Sequence, residues 1–117
     1  METPRYRSFA EFWPYYVSQH RARACRALHY VGTTFAISNM VAALVLAEPR
    51  FLAGAVVSGY FFAWVGHFFV EKNRPATFSY PLWSLIADFK MFGLACAGKM
   101  SAEVSRVAAG EPNHPAQ

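Results

Sequence analysis

At 117 residues, 55% of them hydrophobic and 15% charged, the chain has room for one domain and too little polar surface to cover a soluble one. Its net charge of +4 comes from basic residues that flank apolar stretches, which leaves no basic face for nucleic acid. Cys25 and Cys96 stand alone without a CxxC pattern, so no disulfide is expected on a reducing side of a membrane.

Ser8-Phe9-Ala10-Glu11 reads as a capping box, with Ser8 as N-cap and Glu11 three residues on. Phe9, Phe12, Trp13 and Tyr16 then form an aromatic stripe. Residues 8–26 are therefore predicted as an interfacial amphipathic helix with its rings at headgroup level. Pro14 is too deep for a first-turn proline and predicts a kink or restart. Gln19–Arg26 is polar and basic and is expected to be helical at the membrane surface. No signal-peptide pattern occurs at the start.

Two uncharged segments follow, Leu28–Ala47 and Phe51–Val70, each of 20 residues. A helix of that length spans roughly 30 Å, about the hydrocarbon core of a bilayer. The link Glu48-Pro49-Arg50 permits only a tight antiparallel hairpin. A hairpin buried in a soluble bundle is the less economical alternative. Arg5, Arg7, Arg21, Arg23, Arg26, Lys72 and Arg74 flank the outer ends, against Arg50 alone in the turn. That bias predicts an integral membrane protein, of the inner membrane if bacterial, with its N-terminus and the 71–77 loop cytoplasmic.

Within the first span His29, Thr33, Ala36, Met40, Ala43 and Ala47 share a face; in the second, Ala55, Gly59, Ala63, His67 and Glu71 recur every four residues. Small residues let helices approach in lipid, so this ridge predicts a protein neighbour for His67 and Glu71, and surplus small-residue surface makes a homodimer plausible. Residues 82–98 are apolar enough to insert but carry Asp88 and Lys90. An interfacial helix is favoured over a third span, with those two charges paired. A short Ala-rich helix and a disordered tail over 110–117 close the chain; His114, in that tail, is given no role. The predicted fold is all-α: a membrane helical hairpin of two clear spans flanked by amphipathic helices, in a single membrane domain.

His20, His29 and His67 fall at one membrane boundary. His29 lies about 20 residues before the hairpin turn and His67 about 18 after it, depths that agree within roughly 3 Å. Imidazoles in a dry setting are metal ligands, and His67 with Glu71 at i, i+4 adds a carboxylate. Two histidines and a carboxylate with open positions would suit a non-haem Fe(II) oxygenase. One spacing resists. His20 and His29, nine residues apart, face opposite ways on one helix, and no Pro or Gly supplies a bend between Gln19 and Arg26. Structural readings stay open: interhelical hydrogen bonds for His29 and His67, a headgroup contact for His20, a pair with Arg74 for Glu71, and topology signals for Lys72 and Arg74. Trp13, Tyr15, Tyr16, Tyr60, Trp64 and Trp83 are belt or packing aromatics.

The segments Phe12-Trp13-Pro14-Tyr15-Tyr16-Val17-Ser18-Gln19-His20 and Leu28-His29-Tyr30-Val31-Gly32-Thr33 resemble the small membrane family of 2-hydroxy fatty acid dioxygenases. Gly66-His67-Phe68-Phe69-Val70-Glu71-Lys72-Asn73-Arg74-Pro75-Ala76 resembles that family's second signature, and the likeness covers roughly residues 8–98. The resemblance implies Fe(II)-dependent α-oxidation, which removes one carbon from a 2-hydroxy fatty acid. It places the family's histidines at His20, His29 and His67 and its glutamate at Glu71. On this reading Glu71 ligates or orients, Arg74 or Lys72 holds the carboxylate of a lipid-like substrate, and the alkyl chain enters from the bilayer. The alternatives are a non-catalytic protein clamping a haem or metal between two histidines, and a scaffold whose histidines bond one another.

Overall fold

A computed structural model describes residues 6–110. In chain order its helices are α1 (Phe9–Ser18), α2 (Arg23–Leu46), α3 (Arg50–Val65), α4 (Pro81–Cys96) and α5 (Met100–Ala108). A π-helical turn, Gly66–Glu71, prolongs α3, and a 3₁₀ turn, Ala76–Phe78, precedes α4. No strand occurs among the described residues, so the all-α prediction holds. Of the tail, residues 111–117 and with them His114 lie outside the described residues.

The chain divides into two compact units. One, residues 22–75, is the hairpin. α2 ends on Ala47 in the left-handed conformation (φ 53°), whose N–H returns to the Ala43 carbonyl, and α3 restarts at Arg50. The two helices pack through small residues. A Cβ on Gly32 would lie 3.0 Å from Phe62 Cβ and 3.2 Å from the Ser58 carbonyl, so only glycine allows this approach. The predicted ridge faces inward: Ala55, Ala63 and His67 are buried, and Gly59 is half-buried. Phe35, Val45, Val57, Phe61 and Phe69 point outward and are exposed. Arg23–Leu46 and Arg50–Glu71 are each long and apolar enough to cross a membrane, and only 17% and 22% of their most apolar windows are buried. The core helix of a soluble protein would be mostly buried; these are not.

The other unit takes, of the described residues, 6–21 and 76–110 and gathers α1, α4 and α5. The predicted capping box forms: Glu11 N–H donates to Ser8 Oγ at 3.2 Å, while the Glu11 carboxylate accepts from the Arg7 N–H at 3.1 Å. α1 runs unbroken through Pro14, so the restart expected there does not occur. Phe12, Trp13, Tyr16 and Val17 are buried, against the headgroup position expected for this aromatic stripe. Their partners are protein: Phe12 packs on Trp83 with ring centroids 5.7 Å apart, and Trp13 Nε1–H donates to Glu103 at 2.8 Å. α4 has 16 residues, about 24 Å of helix, short of the hydrocarbon core.

Asp88 and Lys90 do not pair as expected, because two helical positions point in different directions. Asp88 accepts from the Tyr16 hydroxyl, and the Lys90 ammonium sits 4.3 Å from the centre of the Trp13 ring. Burial pushes the Asp88 carboxyl up to about 7, against the pull of that hydroxyl.

Candidate metal centre

The helix expected across residues 19–26 exists only from Arg23. α1 stops at Ser18, and Ala22 is extended (φ −76°, ψ 132°). No Pro or Gly makes this break. Ser18 Oγ–H donates to the Tyr15 carbonyl at 2.6 Å, and His20 Nδ1 bonds the Tyr16 carbonyl at 2.6 Å. These bonds sit at the helix end, where the Gln19 N–H still reaches the Tyr15 carbonyl at 3.2 Å. The nine residues from His20 to His29 therefore do not form one continuous helix.

In the hairpin unit, α2 presents Cys25, Arg26, His29, Gly32 and Thr33 as its buried face. His67 comes from the π turn, and its ring meets that of His29 edge to face, with centroids 4.9 Å apart. Gly66 makes this possible. A Cβ there would stand 2.9 Å from Cys25 Sγ and 3.4 Å from the Cys25 backbone. The turn ends on Lys72 in the left-handed conformation, and the Asn73 N–H returns to the His67 carbonyl at 2.9 Å. That reversal brings Asn73 Oδ1 to 2.7 Å from His67 Nδ1.

The three imidazoles share a tautomer. A carbonyl oxygen can only accept, so Nδ1 carries the proton in His20, held by Tyr16, and in His29, held by the Cys25 carbonyl at 2.9 Å. Asn73 does the same for His67. In each ring Nε2 keeps its lone pair, the form in which a histidine ligates a metal while an acceptor behind it fixes the ring. All three side chains are buried.

The hairpin pair fits a shared ion. With metal–nitrogen bonds of 2.0–2.1 Å, two imidazoles on one metal place their centroids roughly 4.5–5 Å apart when adjacent and about 6 Å apart when opposite. The observed 4.9 Å matches adjacent ligands. It leaves no space for a haem between these two rings, against the clamp considered from sequence.

Glu71 Oε1 accepts from the Ala22 N–H at 2.5 Å, so the carboxylate caps the start of α2, where the helix dipole favours it. The cap ties the π turn carrying His67 to the helix carrying His29. Arg74 and Lys72 are exposed. Asn73, given no role from sequence, is the residue that orients His67; its signal was a polar side chain inside the second signature. Cys25 and Cys96 are both free thiols, and Cys25 is buried.

Two helices long and apolar enough for a bilayer, with a pair of buried imidazoles beside each other, describe a small helical protein suited to a membrane whose histidines could hold a metal. The chain belongs to the family described as 2-hydroxy-palmitic acid dioxygenase Mpo1-like, whose model matches residues 6–100. All three histidines, Glu71 and Asn73 lie inside the match, which bears out the resemblance seen in the signatures. No curated protein matches the chain. No solved structure does either.

Proposed function

We propose that the protein is an Fe(II)-dependent dioxygenase that shortens 2-hydroxy fatty acids by one carbon, with His20, His29 and His67 holding the iron. The observation that carries this is the set of ring contacts: three buried histidines of a dioxygenase family each meet an oxygen through Nδ1, which leaves Nε2 as the nitrogen without a proton. His20 belongs to the other compact unit, but it lies two residues before Ala22, which Glu71 fixes beside the hairpin pair. Two peptide links reach no further than roughly 7 Å, which favours His20 as the third ligand.

Iron, when bound, would supply a Lewis acid for the substrate's oxygens and electrons for O₂. Glu71 holds the start of α2 rather than the reacting atoms, and so positions His29. The apolar outer faces of α2 and α3 suit entry of the alkyl chain from a bilayer, with the carboxylate at the cytoplasmic boundary. The balance is one 2-hydroxy acid and one O₂ giving the acid one carbon shorter, carbon dioxide and water.

The test is gas chromatography of products from 2-hydroxypalmitate, incubated aerobically with chelator-free protein in lipid nanodiscs and Fe(II). Pentadecanoic acid from the wild type and none from His67→Ala is the expected result. Equal yields from both, or no product from an iron-loaded wild type, would reject the activity.

A further inference from the structure

Trp13, Tyr16 and His20 stand three and four residues apart, the spacing that sets side chains above one another on a helical face. α1 carries the first two; His20 follows in the turn after it, with its N–H on the Val17 carbonyl at 3.0 Å. The three rings stack in series. Trp13 and Tyr16 have centroids 5.6 Å apart and planes 14° apart, and Tyr16 and His20 lie closer still, at 4.1 Å and 25°. Each of the three residues is 1% exposed.

Both aromatic rings are also tied at their polar edges. The Tyr16 hydroxyl donates to Asp88 on α4, and Trp13 Nε1–H donates to Glu103 on α5 at 2.8 Å. Arg106 Nε holds that second carboxylate in turn, at 2.5 Å from Glu103 Oε1. A phenylalanine at either place would bury its ring without asking for a buried carboxylate, which is costly to desolvate. What the two bonds add is direction. Stacked rings can slide and turn on one another, whereas a hydrogen bond at the edge fixes where a ring lies. His20 gains from this. Its bond from Nδ1 to the Tyr16 carbonyl fixes one point of the imidazole, and the face of Tyr16 fixes its plane.

We infer that Tyr16 is a positioning residue for His20: held by Asp88 and backed by Trp13, it keeps the imidazole in the plane from which Nε2 meets a metal. This rests on His20 as an iron ligand, the reading proposed above. A ligand whose ring is locked by its surroundings loses little freedom when the ion arrives, so its support shows as metal affinity.

The test uses Co(II) alone, titrated into full-length protein in phosphatidylcholine nanodiscs and followed by its visible absorption. Tyr16→Leu is expected to lower the affinity about tenfold. Tyr16→Phe, which keeps the ring and loses the bond to Asp88, should fall between Tyr16→Leu and the wild type. Both substitutions are then repeated on His20→Ala. With no imidazole left to hold, neither should weaken binding further. An equal loss in both backgrounds would mean that Tyr16 acts through general packing, and overturns the assignment. Tyr16→Phe binding as tightly as the wild type overturns it as well, and decides the matter if Tyr16→Leu does not fold. A His20→Ala protein that binds Co(II) like the wild type removes His20 from the ligand set, and this role for Tyr16 with it.

Discussion

Asn73 shows how a single side chain outside the ligand set can govern it. Its amide oxygen holds the Nδ1 proton of His67 and so sets Nε2 as the nitrogen that a metal would use. Asn73→Leu should lower metal affinity about 10–100-fold without moving the protein from the membrane, read by metal titration. Asn73→Asp, which keeps the acceptor, should retain most of it. The histidines and Glu71 were legible from spacing and signature. Asn73 was not, because its partnership depends on Lys72 turning left-handed (φ 56°), which no local pattern announces. Asp88 makes a pH prediction. Its folded value of about 7 lies above the ordinary 3.8, so the folded state holds the proton more tightly and stability falls as pH rises from about 4 through 7. Asp88→Asn, which still accepts from Tyr16, should flatten that slope in thermal unfolding between pH 4 and 8. An unchanged slope would remove Asp88 as its source.

At the scale of elements, the two long helices and the small-residue ridge could be read directly, because apolar length and four-residue spacing are properties of sequence alone. The break after Ser18 could not. No proline or glycine marks it, and side-chain bonds like those of Ser18 and His20 to the Tyr15 and Tyr16 carbonyls also run through the unbroken α2. Nor could the aromatic stripe of α1 be assigned between lipid and protein until α4 and α5 were seen to cover it. The crossing of α2 and α3 beside the hairpin pair depends on Gly66. Gly66→Ala should push a methyl into Cys25 Sγ and spread His29 from His67, lowering bound iron by about tenfold or more. Adding Cys25→Ala removes the sulfur and leaves only backbone contacts of 3.4 Å, so the double variant should regain much of the iron. A double variant no better than Gly66→Ala would place the damage elsewhere.

At the scale of the whole molecule, hydrophobic composition and two sparsely buried apolar helices suit association with a membrane, and the chain belongs to a family named for a fatty-acid dioxygenase. Everything proposed for the substrate and for Asn73 presupposes a metal held by buried imidazoles. The most direct check is elemental analysis of protein purified gently from membranes without chelators, for the wild type and for His29→Ala and His67→Ala. One iron per chain in the wild type and almost none in either variant is the predicted result. A wild type free of transition metal, or variants that keep the full complement, would contradict it.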